Sequence, residues 1–259
     1  LGLGRERLIR VPVDDQGRMR ADAFPELDGP TLVCMQAGNV NTGSFDPLVE
    51  ICEMARRPPT WIHVDGAGGF WAVASDKHRH LVEGMQLLDS ISTDAHKWLN
   101  VPYDCGIALI RKPEALRKAM GVTAAYLPML ERREPSYYTP ELSRRARGVE
   151  IWAALKYLGR SGVAEMIDRN CRQARRFAEG LSEAGFEILN DVVLNQVLVS
   201  FGSPDKTHAV IEKIQQDGTC WCGGTEWQGR TAMRISVCSW ATTDEDVERC
   251  LDVMVNAAA

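Results

Sequence analysis

Two side chains with complementary chemistry, an aspartate and a lysine, stand 32 positions apart in the first half of the sequence. Asp65 belongs to the segment His-Val-Asp-Gly-Ala-Gly over 63–68, and Lys97 to Thr-Asp-Ala-His-Lys-Trp over 93–98. Each lies where a predicted strand ends, and in parallel sheets ligands collect at the carboxyl ends of strands. The neighbours His96 and Trp98 are expected to remove water from the lysine amine, as a Schiff-base lysine requires.

One cofactor uses a lysine and a carboxylate together. Pyridoxal phosphate is held as an imine by a lysine, while a carboxylate keeps its ring nitrogen protonated. A charged hydrogen bond of that kind contributes about 1.5–3 kcal/mol. On spacing alone, Asp65 as the cap of a turn and Lys97 as a solvated loop lysine stay open. A metal at His63 and Asp65, or at His78 and His80, lacks a suggested third ligand, so we predict no metal site.

The elements that must position these side chains alternate between strand and helix over the first 115 residues, which is typical of a parallel α/β layer. The predicted strands are Thr31–Ala37, Trp61–Val64, Ser90–Thr93 and Cys105–Ile110. A helix is predicted over Asp46–Arg57, because the apolar positions 48, 51, 52 and 55 fall on one of its faces.

The alternation stops after residue 118. Residues 118–145 are predicted to form a long surface loop, of the kind that is usually functional or disordered. Helices are predicted near 145–158 and 163–184, and a small α+β unit over 186–256 with strands near 192–201 and 232–238. The last helix should open at Thr242 or Thr243, because three acidic residues then occupy its first turn.

Composition excludes several classes of protein. The 259 residues carry 30 basic and 35 acidic side chains, and this net negative charge argues against a nucleic-acid-binding surface. No apolar run approaches the roughly 20 residues of a membrane span, and residues 1–10 do not have the pattern of a secretory signal. Eight cysteines are too sparse for a disulfide scaffold, so we expect reduced thiols in a cytoplasmic protein.

Four segments together resemble the group II pyridoxal-phosphate-dependent decarboxylases, which include aromatic amino acid, glutamate, histidine and 2,4-diaminobutyrate decarboxylases. They are GNVNTGSFD over 38–46, HVDGA over 63–67, DAHKWL over 94–99 and VPYDCG over 101–106. The resemblance covers essentially the whole chain and implies the α/β fold called fold type I. Residues 1–115 would form the carboxyl-terminal half of the large domain with its parallel or mixed sheet, 116–145 a mobile active-site loop, and 146–259 a small α+β domain.

The resemblance also implies roles for single residues. Lys97 would form the internal aldimine with pyridoxal 5'-phosphate, and Asp65 would pair with the pyridine nitrogen. Ala67 would pack against the ring, and His96 would lie near the imine and the phosphate. Asn39 falls where the family has a polar residue that faces the cofactor or the substrate.

The implied reaction is decarboxylation of an L-amino acid to the amine and carbon dioxide by a homodimer. Tyr126 aligns with the tyrosine of the family's mobile loop, which is thought to return a proton to the α-carbon. A phenol on a flexible loop suits that role as a general acid. An ordinary exposed aromatic is the alternative for Tyr126, and Tyr137 and Tyr138 are second candidates for loop chemistry.

Two further features of the sequence have alternative interpretations. The basic run with Arg144, Arg145 and Arg147 is either a solvated or salt-bridged face or the place where one arginine holds a carboxylate or phosphate. Asp94 stands where many relatives have an asparagine near the phosphate. A carboxylate there would repel phosphate unless it points away or is paired.

Family members are considerably longer than this chain, so we expect it to be the carboxyl-terminal portion of a decarboxylase. The loop that cradles the phosphate and the histidine that stacks on the ring would precede residue 1. Another reaction of the same cofactor on the same fold, such as transamination, and an inactive fragment or scaffold subunit are the alternatives. The sequence does not specify which amino acid is the substrate.

Overall fold

The computed structural model describes residues 2, 4–56, 59–122 and 131–259. Eight strands form two four-stranded sheets within these ranges: β1 Thr31–Gln36, β2 Thr60–Asp65, β3 Ser90–Asp94, β4 Gly106–Ile110, β5 Glu187–Ile188, β6 Gln196–Ser200, β7 Gly223–Trp227 and β8 Arg230–Ser236. The α-helices are α1 Leu48–Ala55, α2 Pro113–Met120, α3 Arg147–Glu183, α4 Pro204–Asp217 and α5 Asp244–Ala258. Short 3-10 turns connect several of these elements.

The first sheet has the order β1-β2-β3-β4 and is mixed. Strands β1, β2 and β3 are parallel, so Gln36, Asp65 and Ser92 lie side by side at their carboxyl ends. Strand β4 returns antiparallel to β3, with Asp94 opposite Gly106. Residues 95–105 contain no crossover helix, and a parallel return needs a connection of about a dozen residues or more. The four predicted strands of this α/β sheet are confirmed.

Helix α1 covers one face of this sheet and is shorter than predicted. Leu48, Ile51, Cys52 and Ala55 are buried in one cluster with residues of β1 and β2, as the periodicity predicts. The predicted start at Asp46 is wrong, because the Asp46 carboxylate instead accepts the backbone N–H groups of Met19 and Gln36, both at 2.7 Å. The predicted end at Arg57 lies outside the described residues.

The two helices predicted near 145–158 and 163–184 are continuous in α3, apart from a kink. Gly159 has φ 63° and ψ −177°, a left-handed backbone that favours glycine and interrupts the helical hydrogen bonds. The buried face beyond the kink includes Val163, Ile167, Cys171 and Leu181. The predicted loop over 118–145 overlaps the end of α2 and contains one 3-10 turn, Pro135–Tyr138, within its described part.

The second sheet is antiparallel with the order β5-β6-β8-β7, and α4 and α5 pack on it. Of the two predicted start positions for α5, Thr243 is confirmed, because its side chain and that of Asp246 form a reciprocal capping box. Sequence analysis did not predict α4, although Ser203 caps it and Pro204 occupies its first turn. No helix among the described residues combines the length and the apolar character needed to cross a bilayer.

Candidate active site

A cleft of about 280 Å³ lies between the carboxyl ends of the first sheet and the strands of the second. From the first layer it is lined by residues that include Gln36, Asn39, Asp65, Ala67, Lys97 and Trp98, and from the second by residues that include Leu194, Asn195, Gln196, Arg234, Ser236 and Cys238. The cleft therefore brings together four of the six predicted site residues: Asn39, Asp65, Ala67 and Lys97.

Asp65 ends β2 and is exposed to solvent. Its Oδ1 accepts the backbone N–H of Ala67 at 3.0 Å, so the carboxylate does cap its own turn. Its Oδ2 accepts no hydrogen bond from the residues that the structure describes. The turn is anchored to β3, since the Gly66 N–H donates to the Ser92 carbonyl at 2.8 Å. One oxygen is thus fixed and the other is available to a ligand.

The glycines after Asp65 serve the packing of two loops. A Cβ on Gly68 would lie 2.5 Å from the Gly38 carbonyl oxygen, and a Cβ on Gly38 would lie 2.4 Å from the Gly69 nitrogen. Real Cβ contacts are longer than either distance, so neither position accepts a side chain without a shift of backbone. Glycine at positions 38 and 68 is therefore required by the close contact between the two loops.

Lys97 is held by an ion pair rather than by an apolar environment. Its Nζ lies 2.8 Å from Asp94 Oδ2, and 53% of its side chain is exposed. The expectation that His96 and Trp98 remove water from this amine is wrong, because 53% of the Lys97 side chain remains exposed. The Trp98 indole is 2% exposed, and its Nε1 donates to Asn170. The pair also answers the question about Asp94, since its carboxylate is matched by the lysine ammonium.

His96 lies behind the ion pair and is not among the residues that line the cleft. Its Nδ1 lies 2.9 Å from the Cys105 backbone nitrogen and 3.0 Å from the Cys105 carbonyl oxygen, so it accepts the N–H in one tautomer of the ring and donates to the carbonyl in the other. Its Nε2 lies 3.8 Å from Asp94 Oδ2. The ring also meets Tyr103 edge-on with centroids 4.3 Å apart. His96 is thus placed to affect Lys97 through Asp94.

Asn39 lines the cleft, but its polar atoms build the loop over 38–44. Its Oδ1 accepts the N–H groups of Asn41 and Thr42 at 2.9 and 3.2 Å. Its Nδ2 donates to Gln36 Oε1 at 2.9 Å. The side chain therefore has little capacity left for a ligand.

The arginine run is engaged in local contacts, which favours the salt-bridged interpretation. Arg145 pairs with Glu150 at 2.9 Å, Arg147 with Asp104 at 3.2 Å, and Arg144 donates to backbone carbonyls of residues 141 and 142. The hydrogen bond between Arg147 and Asp104 raises the pKa of the guanidinium and lowers that of the carboxyl. None of the three lines the cleft.

The remaining candidates do not contribute to the described cleft. Tyr126 lies outside the described residues. Tyr137 is buried at 5% exposure, with the Arg117 guanidinium 5.2 Å from its ring centre, and Tyr138 carries Arg133 at 5.1 Å. The His63 ring contacts the hydroxyls of Ser90 and Ser92 at 2.8 and 3.4 Å. Among the described residues, no group of three or more His, Cys, Asp or Glu could hold a metal ion.

Sequence analysis missed the wall of the cleft that the second sheet provides. Arg234 and Ser236 alternate along β8, and Gln196 stands opposite Ser236 on β6. Alternation predicts that residues 234 and 236 share a face, but only the placement of the second sheet against the first shows that this face meets the cleft. Burial raises the pKa of the neighbouring Cys238 thiol, and Arg234 opposes this shift.

Comparison with known proteins agrees with this geometry. The chain is 30% identical over 261 residues to the aromatic-L-amino-acid decarboxylase of Drosophila lebanonensis, covering 95% of this chain and 64% of that protein. It is 29% identical to the acidic amino acid decarboxylase GADL1 of Bos taurus, covering 97% of this chain and 54% of the relative. The chain thus spans about half to two thirds of the length of these relatives.

Solved structures show the same fold. The crystal structure of mouse CSAD superposes with a TM-score of 0.90 at 24% identity, covering all of this chain and 60% of that one. Oryza sativa TDC, solved with PLP and tryptamine, gives a TM-score of 0.82 at 22% identity over 88% of this chain and 50% of that one. The family description that matches residues 3–202 is the pyridoxal-dependent decarboxylase conserved domain. The chain belongs to the pyridoxal-dependent decarboxylase family.

Proposed function

We propose that this chain supplies the lysine-bearing part of the active site of a pyridoxal-phosphate-dependent enzyme that decarboxylates an L-amino acid to its amine. One observation carries the proposal: the Lys97 amine and the Asp65 carboxylate, whose Oδ2 has no partner among the described residues, line the same cleft. Pyridoxal phosphate needs two protein groups: a lysine, which binds its aldehyde, and a carboxylate, which accepts a hydrogen bond from its ring N–H.

The described residues fit the cofactor. Lys97 would hold its aldehyde covalently, and the free oxygen of Asp65 would accept the hydrogen bond from its ring nitrogen. The short side chain of Ala67 leaves room on the cleft wall, and its N–H keeps the Asp65 carboxylate in place. When bound, the cofactor supplies the electron sink for the bond that breaks at the α-carbon.

A proton must leave the Lys97 ammonium before its nitrogen can attack an aldehyde. Asp94 Oδ2, at 2.8 Å from Nζ, is placed to accept that proton. His96 Nε2 lies 3.8 Å from the same oxygen. When this nitrogen carries a proton, it can stabilise the negative charge that returns to Asp94 once Asp94 has passed on the lysine proton. Arg234 offers a cation on the opposite wall that can bind the carboxylate of an amino acid.

The remaining parts of the proposal come from the family resemblance. Tyr126 would return a proton to the α-carbon, and the complete enzyme would be a cytoplasmic homodimer. Since the chain spans 64% and 54% of two relatives, groups for the phosphate and the substrate side chain would come from polypeptide outside this sequence.

Reductive trapping tests the proposal directly. The purified chain is incubated with pyridoxal phosphate, reduced with borohydride, and digested for peptide mass mapping. Lys77 is the internal control, because it is more exposed than Lys97, at 77%, and also pairs with an aspartate, at 3.4 Å. We expect label at Lys97 in excess of Lys77, and loss of that excess in Lys97→Arg and Asp65→Ala. Equal label at the two lysines would contradict the proposal.

A further inference from the structure

The wall that the second sheet presents to the cleft is a donor surface made of three residues. Arg234 and Ser236 are two residues apart on β8, and Gln196 is paired with Ser236 across the sheet. All three line the cleft. Directly opposed side chains in antiparallel strands have Cβ atoms about 5 Å apart, and diagonal neighbours about 7–8 Å. The ends of Gln196 and Arg234 can therefore reach one small group together.

The amide of Gln196 is oriented by its neighbours. Ser236 Oγ donates to Gln196 Oε1 at 2.6 Å, which occupies the oxygen side of the amide. The stem lies against the loop of the first layer, because a Cβ on Gly43 would be 3.4 Å from both Cβ and Cγ of Gln196. The Nε2 group donates to no acceptor among the described residues. Its two N–H bonds are thus left for a ligand.

Arg234 adds a charge beside this amide. One Nη1 hydrogen bond goes to the Val40 carbonyl at 2.9 Å, which ties the guanidinium to the loop over 38–44. Its other N–H groups have no acceptor among the residues described. Among the described residues that line the cleft, the one acidic side chain is Asp65, on the opposite layer. A guanidinium and an amide that both lack acceptors favour a ligand with two adjacent oxygens.

We propose that Gln196, oriented by Ser236, is a specificity-determining residue that binds a substrate carboxylate jointly with Arg234. The assignment of that carboxylate to an amino acid rests on the proposed function. Either the α-carboxylate or a side-chain carboxylate has the required chemistry. Hydrogen bonds to a charged group are stronger than those to a neutral one, so a carboxylate gains more here than an amide or a hydroxyl does.

The test is a titration of the cofactor-free, isotopically labelled chain with L-norvaline and, separately, with L-glutamate, followed by NMR of the Gln196 side-chain amide and the Arg234 guanidinium. Norvaline offers the α-carboxylate alone, and glutamate adds a second one on a side chain of similar length. We expect both signals to shift together. Gln196→Glu keeps an oxygen for Ser236 but places a negative charge at the site, so binding should weaken about tenfold or more.

Ser236 provides a variant that separates orientation from contact. Ser236→Ala keeps the Gln196 amide but releases it, so binding should weaken about two- to fivefold, and Ser236→Thr should restore it. Gln228→Asn is the matched control, since the Gln228 amide donates to the backbone carbonyls of Asp14 and Asp15 outside the cleft. Unchanged amide signals elsewhere in the spectrum establish that each variant is folded.

Each outcome decides between the alternatives. If Gln196→Glu loses the same affinity for norvaline as for glutamate, Gln196 binds the α-carboxylate. If it loses affinity for glutamate alone, Gln196 binds a side-chain carboxylate. Both results support the inference. Wild-type affinity in Gln196→Glu, or ligand binding without a shift of the Gln196 amide, overturns it. Because no cofactor is present, this result is independent of Lys97 trapping, and either proposal can fail while the other stands.

Discussion

At the scale of single residues, the two oxygens of Asp65 have different tasks. Oδ1 closes the turn through the Ala67 N–H at 3.0 Å, and Oδ2 is left toward the cleft. Asp65→Asn keeps an oxygen for the turn but removes the charge. A charged hydrogen bond contributes about 1.5–3 kcal/mol. We therefore expect the affinity for pyridoxal phosphate, measured by absorbance titration, to fall about tenfold or more.

The control for this prediction is Asp76→Asn, which removes an exposed carboxylate paired with Arg79 at 3.0 Å. It should leave the affinity for the cofactor unchanged, because it lies outside the cleft. Equal affinity of the Asp65→Asn variant and the unsubstituted chain would remove Asp65 from the cofactor site.

Gly68 gives a second residue-scale prediction, on stability rather than binding. The Cβ of Gly68→Ala would lie 2.5 Å from the Gly38 carbonyl oxygen, so the two loops must separate. Overpacking of this kind costs about 1–3 kcal/mol, which urea unfolding would detect. Gly148→Ala is the matched control, because a Cβ there meets nothing within 4 Å and alanine favours the helix. A Gly68→Ala variant as stable as the control would show that the loops yield freely.

The residue scale also shows what sequence could and could not supply. The motif around Lys97 predicted that this residue lies on the cleft, because the end of a strand can be recognised from the local sequence. The environment of the amine was not predictable from its neighbours in sequence. The Trp98 indole is buried in the core and donates to Asn170, 72 positions away, whereas Asp94 forms the ion pair with Lys97. Which neighbour faces the lysine depends on contacts that the local sequence does not encode.

At the scale of elements, the segment after β2 is fastened to α3 through a buried histidine. His78 is 4% exposed, and its Nδ1 lies 3.1 Å from Ser75 Oγ and 3.2 Å from Asp168 Oδ1. Arg175 donates to its Nε2 at 3.2 Å. Because Nε2 accepts this bond, the ring is neutral with its proton on Nδ1. Protonation of Nε2 would place a His78 imidazolium against the Arg175 guanidinium and would remove the acceptor of this hydrogen bond.

This contact predicts a pH dependence of stability. Burial lowers the pKa of His78 from its ordinary value of 6.5, and the Arg175 charge adds to the effect against the opposing contribution of Asp168. The unfolded chain then binds a proton that the folded chain does not. Stability is therefore fully present above about pH 6.5 and is lost as the pH falls toward the folded pKa.

The measurement is urea unfolding at about pH 7.5 and about pH 5.5, on either side of the histidine range. We expect a lower midpoint at the acidic pH, and a smaller difference in His78→Gln. His208→Gln is the control, since His208 is exposed on α4. Asp168, whose pKa lies below 3.8, keeps its charge across this interval. The same pH difference in His78→Gln as in the unsubstituted chain would assign the effect to other groups.

Elements differ in how far the sequence predicts them. Strands β1, β2 and β4 are short segments rich in apolar residues, so local composition predicts their positions, whereas β3 has the largely polar sequence SISTD. Helix α3 was predicted as two pieces, near 145–158 and 163–184; in the structure the two pieces are joined across a kink at Gly159. The pairing of β6 with β8, which puts Gln196 beside Ser236, joins residues 40 positions apart and has no local signal.

At the scale of the whole molecule, α3 belongs to both hydrophobic cores. Its residues Val163 and Ile167 are buried with the first sheet, and Phe177 and Leu181 with the second. Between these two stretches lies Asn170, which is fully buried. A rigid helix shared by two cores couples their unfolding, so we expect a single cooperative transition by fluorescence and circular dichroism.

Asn170 is the residue at which this coupling can be tested. Its Oδ1 accepts the Trp98 indole N–H at 2.9 Å, and its Nδ2 donates to Gln173 Oε1 at 3.1 Å and to the Ser239 carbonyl at 3.2 Å. These bonds join the segment after β3, the helix and the segment after β8. Asn170→Ala leaves the buried indole N–H without its acceptor, at a cost of about 1–3 kcal/mol.

If the two cores unfold as one unit, this loss lowers the midpoint of the single transition and leaves its slope in urea unchanged. If the Asn170 contacts are what couples the cores, the variant instead shows two transitions, with the first sheet and Trp98 separating from the second. Asn256→Ala, at an exposed position of α5, should change neither quantity. The cleft is built from both layers. A variant with two transitions should therefore lose the ligand-induced shift of the Gln196 amide signal at a lower urea concentration than that at which its secondary structure unfolds. A wild-type midpoint in Asn170→Ala would mean that the apolar face of α3 alone holds the two walls of the cleft together.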